Sequence, residues 1–396
     1  MIIINGIIIT PEKEIRGKAL HIRDSRIDGI VRKDSLELSD RLVVDAQGGY
    51  ILPGFIDIHT HGGAGSDVMD STHEDLKIIS KFHASHGVTS IYATTTTAPI
   101  EELIKCVNAV RGITEDKTWG SKILGLHIEG PFLSYENRGA QPAEYLLEPE
   151  EEKYKFIIEN RDIIKRVTIS PGLAGVNKMI SDLHNSNIIV SGGHDASIDN
   201  EIEEAIKCGM THTTHAFCAM STISRKNGTK HLGLNEMVLL DDRLTTEIIA
   251  DNKHVPALFC KLLFKCKGPE KMCIVSDSLR ASGIPEDDTV YMLGQRKEPG
   301  GREFIVEGGV AMLPDRSKYA GSVTTMDTMV KNLIRDCSIS LLDVVQMASL
   351  TPACIMQIDK KKGSLEKGKD ADICIMDKDL NVMKTVVEGK IVFSRP

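Results

Sequence analysis

The segment FIDIHTH places His59 and His61 two residues apart. In a β-strand both rings would share one face, where a pair of neutral imidazoles can hold a divalent ion. Alone the pair is a weak signal, because a chain with 13 histidines yields such spacings by chance, and a polar layer inside the fold is the competing reading. Convergence makes it specific. Glu129 lies at the end of KILGLHIEG, His194 ends IIVSGGH and His215 falls near the end of MTHTTHAF, and each of these runs reads as a strand. A handful of nitrogen and oxygen ligands around a position open to water is what a Lewis-acid centre needs to generate hydroxide near neutral pH.

Asp277 lies at the end of CIVSDS. A carboxylate there either caps a following helix or, beside an activated water, takes its proton and delivers it to a leaving nitrogen. No GxSxG-type motif offers a competing nucleophile. His127 shares the face of Glu129 one pair deeper and reads as a core or supporting histidine. His212 has the parity opposite to His215 and is expected to point toward the surrounding helices. His254, following ADNK, is expected at the rim, touching substrate or capping a turn. The remaining histidines, at 21, 73, 83, 86, 184 and 231, carry no positional argument.

Strands ending at one rim must bring these residues together. Eight are expected, at 55–61, 88–96, 122–130, 166–171, 188–194, 210–217, 247–255 and 273–278, alternating with amphipathic helical stretches in the pattern of repeated βα units. Active sites of closed barrels of this kind lie at the C-terminal ends of the strands. The expected fold is α/β: a (β/α)8 TIM-type barrel over 54–356, with a small β-sandwich domain formed by residues 1–53 and 357–396. Those terminal segments share a texture of short strand-like runs, MIIINGIIIT, GKALHIRDSRIDGIV and RLVVDAQGGYILP at one end and GSLEKGKDADICIMDKDLNVMKTVVEGKIVF at the other. Residues 221–233, STISRKNGTKHLG, read as a flexible basic loop that contacts a ligand.

Composition narrows the partners. A chain of 396 residues, 41% of them hydrophobic, can bury a large core. With 48 basic against 56 acidic residues and a net charge of −8, neither nucleic acid nor an anionic membrane surface is expected as a partner. MIIINGIIIT has no basic lead and is interrupted by Asn5 and Gly6, so it reads as a strand rather than a signal peptide. No apolar run approaches the roughly 20 residues of a membrane span. Nine cysteines without a CxxC pair indicate neither a disulfide framework nor a thiolate zinc site, and a reducing cytoplasm fits them.

Taken together, PGFIDIHTHGG at 53–63, LHIEGPF at 126–132, GGHDA at 192–196, THTTHAFCAM at 211–220, EIIADNKHV at 247–255 and the Asp277 segment resemble the N-acetylglucosamine-6-phosphate deacetylases of the amidohydrolase superfamily, over nearly the whole chain. The resemblance implies a hydrolase that removes the acetyl group of N-acetylglucosamine 6-phosphate, giving glucosamine 6-phosphate and acetate in amino-sugar catabolism. It implies Glu129, His194 and His215 as core metal ligands, with His59 and His61 completing a second position. One or two divalent ions per subunit follow, zinc first, with iron, manganese or cobalt also suited to such ligands. Asp277 matches the acid/base. Substrate contacts fall on Ala140, Gln141, Cys218, Ala219, an arginine of the following loop (Arg225), Asp251 to His254, and Tyr319, Ala320 and Gly321, and a cytoplasmic homodimer is implied.

The fourth expected strand ends without the lysine that carboxylated-lysine relatives would place there, leaving Glu129 as the bridging carboxylate. Gln141 stands where the family usually has histidine, and Cys218 where it usually has asparagine. Because both touch the sugar pocket, deacetylation of N-acetylgalactosamine 6-phosphate or of an unphosphorylated amino sugar is the nearest alternative. A cyclic amidase or another superfamily hydrolase is more distant. A non-catalytic scaffold would be expected to have lost ligands.

Overall fold

In a computed structural model of the chain, residues 1–32, 42–114, 120–296 and 301–396 are described; Arg41, the first residue of the third terminal run, lies outside them. Eight parallel strands form the central sheet: Phe55–Thr60, Val88–Thr95, Lys122–Glu129, Ile164–Ile169, Ile189–Gly192, Met210–Thr213, Thr245–Ile248 and Met272–Ile274, each paired with the next in chain order. The two edges meet through Asp277 N, which donates to His59 O at 3.0 Å, and through His61 N and Gly62 N, which donate to Ser278 O at 2.9 and 2.8 Å. The expected barrel is thereby closed.

Alternation along the strands separates two environments. Outward residues such as Ile56, Ile58, Val167 and Ile169 pack with Leu76, Ile79, Val107 and Ile180 of the covering helices in the main apolar core. Inward residues are polar: His59, His127, Arg166, Thr168, Ser191, His212, Thr214 and Glu247 are all 0% exposed. His212 therefore does not point toward the helices. It faces inward, its Nδ1 2.7 Å from Thr245 Oγ1 and its Nε2 3.4 Å from Glu247 Oε2. Parity with His215 misleads because the strand ends at Thr213, and His215 lies beyond it with a backbone φ of 32°.

Two further sheets share a second core. One has four strands, ordered Arg26–Arg32, Lys18–Arg23, Ile2–Ile4, Val43–Asp45; the other has six, ordered Lys390–Ser394, Val382–Val387, Ile373–Met376, Tyr50–Pro53, Ile7–Ile9, Glu14–Ile15. Ile3, Ile8, Leu20, Ile51, Ile373 and Val386 are buried between them. The N-terminal segment and the C-terminal strands thus pair in one sandwich. A buried ion cluster locks the connection, with Lys362 Nζ 2.9 Å from Asp370 and 2.6 Å from Asp372.

Unexpected from the sequence is a four-stranded antiparallel insertion, Tyr291–Leu293, Arg302–Glu307, Val310–Met312 and Tyr319–Gly321, after the last barrel strand. Leu293, Phe304 and Leu313 pack it onto Leu279 and Ala140, and Ser322 N donates to Asp277 O at 2.8 Å, tying it to the rim. Its signal was the Gly308-Gly309 turn between alternating runs.

Replacing Lys362 with Met leaves the buried Asp372 carboxylate without its cation, while Asp370 keeps Arg26. A loss of about 3–5 kcal/mol is expected from breaking such a pair. Urea unfolding measures it, and a midpoint equal to the parent's would refute the assigned clamp.

Candidate active site

Glu129, the last residue of the third barrel strand, meets four imidazoles. Its Oε1 lies 3.4 Å from His59 Nε2, 3.3 Å from His194 Nε2 and 3.1 Å from His215 Nε2, while Oε2 lies 3.3 Å from His61 Nε2. The Nε2 atoms of His59 and His61 are 3.3 Å apart, and those of His194 and His215 are 3.1 Å apart. Two triads sharing Glu129 result, each with its ligand atoms within 4.8 Å of one another. All five residues that the sequence singled out as ligands are brought together.

The neighbours determine where the ring protons sit. His61 Nδ1 faces Thr94 O at 3.2 Å, His194 Nδ1 faces Asn137 O at 3.0 Å and His59 Nδ1 faces the Glu247 carboxylate at 2.6 Å. Each of these partners accepts only, so Nδ1 carries the proton and the Nε2 lone pair turns inward. Buried lone pairs converging on a carboxylate repel one another unless a cation lies among them, so the donor set fits a divalent ion.

Electrostatics point the same way. Burial by itself would lower the His61 imidazolium, but Asp277 and Glu129 outweigh it and raise its pKa to about 9. Burial would raise Glu129, yet His59 and the hydrogen-bonding histidines hold it well below the usual carboxylate range. Asp277, with Oδ1 3.1 Å from His61 Nε2 and 3.5 Å from His59 Nε2, is likewise lowered by those imidazoles against the effect of burial. Its carboxylate is ionised at neutral pH and free to accept a proton.

Backbone strain aims these groups. His194, His215 and Asp277 have φ of 47°, 32° and 45°, left-handed conformations that non-glycine residues rarely adopt and that cost on the order of 1–3 kcal/mol each. Each lies just past its strand, where the turn takes the side chain off the strand's alternation and onto the rim. Gly139 has φ 63°, and a Cβ there would come within 3.3 Å of His194 Cε1. The loop can approach His194 because it has none.

Above the cluster lies a cavity of about 350 Å³. Of the substrate contacts implied by the family resemblance, Ala140, Gln141, Cys218, Ala219, His254, Tyr319, Ala320 and Gly321 line it. Asp251 lies behind, accepting from the backbone N–H of Lys253 and His254 at 2.8 Å and contacting His254 Nδ1 at 2.6 Å. His254 Nε2 is buried with no hydrogen-bond partner among the described residues, and Tyr319 packs edge-on against the ring at 5.0 Å.

Arg225 is not in this set. The 221–233 stretch forms a hairpin, Ser224–Lys226 with Thr229–His231, in which Arg225 is exposed and donates to Gly228 O at 3.3 Å. Among the described residues the lysine or arginine lining the cavity is instead Lys318, from the insertion. Sequence reasoning also missed the contact of Gln141, whose Nε2 donates to Glu129 Oε2 at 2.9 Å while its Oε1 accepts from Thr97 N at 2.7 Å. Nothing local signals that contact, since it joins loops that only the barrel rim brings together.

Barrel and site together define an amidohydrolase, and the model of the amidohydrolase family matches residues 50–392. The chain is 33% identical over 390 residues to an N-acetylglucosamine-6-phosphate deacetylase of Bacillus subtilis (strain 168), covering 98% of this chain and 95% of that protein. The crystal structure of the N-acetylglucosamine-6-phosphate deacetylase of Pasteurella multocida superimposes with a TM-score of 0.91 at 30% identity, covering 100% of this chain and 99% of that one. A mutant of the Mycobacterium smegmatis enzyme in complex with N-acetyl-D-glucosamine-6-phosphate gives 0.89 at 25% identity, covering 100% and 99%. The chain belongs to the N-acetylglucosamine-6-phosphate deacetylase family.

Two outcomes are expected. Asparagine accepts left-handed backbone, so Asp277→Asn should fold and keep its metal while kcat falls by about 10²–10⁴-fold; near-normal turnover would remove Asp277 from the chemistry. Because His61 holds its proton up to about 9, metal uptake by the apo protein near neutral pH must displace it, so protons are released and affinity falls as pH falls. Calorimetric titration in buffers of different ionisation enthalpy measures the release, and an affinity that does not vary between mildly acidic and mildly alkaline pH would contradict it.

Proposed function

We propose that this chain is a divalent-metal-dependent deacetylase that hydrolyses the acetamide of N-acetylglucosamine 6-phosphate, releasing acetate and glucosamine 6-phosphate in amino-sugar breakdown. The observation that carries the reading is the pair of triads around Glu129, with the Asp277 carboxylate 3.1 Å from His61 at the floor of the cavity. The family's sugar-phosphate substrate supplies the ligand. Glu129 would be shared by the two triads, His59 and His61 holding an ion on one side and His194 and His215 on the other, and zinc is the ion best matched to the four imidazoles and one carboxylate. When bound, the metal polarises the acetyl carbonyl and lowers the pKa of the attacking water.

The chain's own residues supply the rest. Asp277 takes the proton of the attacking water and returns it to the departing amine. His254, oriented by Asp251, presents Nε2 to the cavity, and with both ring nitrogens protonated it donates from there to the carbonyl oxygen as negative charge develops on it. Tyr319, Ala320 and Gly321 form the roof, and Gln141, Cys218 and Ala219 line the sugar side. Lys318, rather than Arg225 of the same chain, is the cation available to the phosphate. Residues 54–356 are taken as the catalytic unit and the two termini as the supporting domain.

We read the enzyme as cytoplasmic and homodimeric. All nine cysteines are free, and no helix among the described residues is long and apolar enough to cross a membrane. The helix Ala257–Lys271 exposes Leu258, Phe259 and Leu262, an apolar face that a second copy could cover.

Steady-state rates on N-acetylglucosamine, N-acetylgalactosamine and their 6-phosphates test the substrate. N-Acetylglucosamine 6-phosphate should give the highest kcat/KM, and a clear preference for the galactosamine compound or for unphosphorylated sugar would move the assignment. Lys318→Gln should raise KM for phosphorylated sugar about tenfold with kcat little changed, the signature of lost uniform binding. An unchanged KM would exclude Lys318 as the phosphate contact.

A further inference from the structure

Each ligand histidine has a second ring nitrogen, and these nitrogens are not treated alike. His61 Nδ1 and His194 Nδ1 face backbone carbonyls, and His215 Nδ1 is buried without a hydrogen-bond partner among the described residues. His59 Nδ1 alone meets an ionised side chain, Glu247 Oε1, and at 2.6 Å the contact is the shortest of the set. A charged acceptor at that nitrogen fixes the tautomer, aims Nε2 and raises its basicity as a ligand.

Glu247 is itself held. Arg166 Nη1 lies 2.5 Å from Glu247 Oε2, and the guanidinium also donates to Ser191 Oγ at 2.8 Å, Ile58 O at 3.2 Å and Thr214 Oγ1 at 3.0 Å. Arg166 and Glu247 are both 0% exposed. A buried ion pair adds little stability over apolar residues of the same volume. What this pair adds is a carboxylate that cannot rotate away from His59, because Ile58 of the first barrel strand, Ser191 of the fifth and Thr214 just past the sixth hold the guanidinium. The same Oε1 also accepts from His215 N at 3.1 Å, but that bond reaches a backbone amide rather than the ligating ring.

We infer that Glu247, clamped by Arg166, is a positioning residue that sets the affinity of the His59–His61–Glu129 metal position and has a much smaller effect on the Glu129–His194–His215 position. The inference rests on the reading that the cluster holds two ions. It makes the second position a property of the seventh strand, not of the HxH pair alone.

Zinc affinity measured by competition with a chromophoric chelator, with metal per subunit counted on the same sample, tests it without reference to activity. His61→Ala identifies which binding step belongs to the HxH side. Arg166→Met/Glu247→Leu removes both charges, so no lone buried ion is left to unfold the barrel. It should weaken the HxH-side ion by about 10–100-fold while the other stays within about threefold. Glu247→Gln keeps an acceptor but no charge, should shift the same step in the same direction by less, and carries the test if the double variant does not fold. Two ions bound as tightly as in the parent, or equal weakening of both, would overturn the assignment. A parent protein that takes up one ion at saturating zinc would overturn the two-ion reading, and this inference with it.

Discussion

Four imidazole nitrogens directed at one buried carboxylate form an arrangement that protein atoms alone cannot satisfy. The Nε2 atoms of His59, His61, His194 and His215 surround Glu129 at 3.1 to 3.4 Å, and three of the rings have their outward nitrogens committed to acceptors. Without a cation, the carboxylates draw protons onto the imidazoles, which is why His61 is pushed up to about 9. With a divalent ion, the same geometry becomes favourable and needs little reorganisation. The rest of the molecule keeps that arrangement from relaxing.

The barrel does so by having a polar interior. His127 is held between Thr94 Oγ1 at 3.3 Å and Thr168 Oγ1 at 2.7 Å and packs edge-on against His59, with ring centroids 4.7 Å apart. Below it, Arg166 and Glu247 tie the strands together. Such a network is tolerable only when nearly every member is paired, and that pairing makes it stiff. Backbone strain at His194, His215 and Asp277 persists because these neighbours over-determine it.

The cavity walls belong to a different layer. The five candidate ligands and Asp277 come from strand ends, whereas the cavity walls come from the 137–141 loop, the 217–219 turn and the 318–321 edge of the insertion. Gln141 belongs to both layers, since it lines the cavity and donates to Glu129 Oε2 at 2.9 Å. A change at that position is therefore felt at Glu129 as well as in the cavity.

By itself the sequence determined the strand order, the barrel and the terminal sandwich, and it singled out five candidate ligands and Asp277, which the fold brings to one rim. Period-two patterning and the position of polar residues at strand ends are local properties, and the barrel rule turns them into proximity. Parity ceased to inform where strands ended, so His212 was assigned to the wrong side and the left-handed turns at His194 and His215 could not be read. Only the tertiary structure decided the partners of the ligands, Glu247 with Arg166, Asp251 behind His254 and Gln141 on Glu129, and the replacement of Arg225 by Lys318 at the cavity wall. Arg166 and Glu247 are 81 residues apart in the chain. Their pairing depends on how far around the barrel each strand lies and on the stagger between strands, quantities that closure of the whole sheet sets.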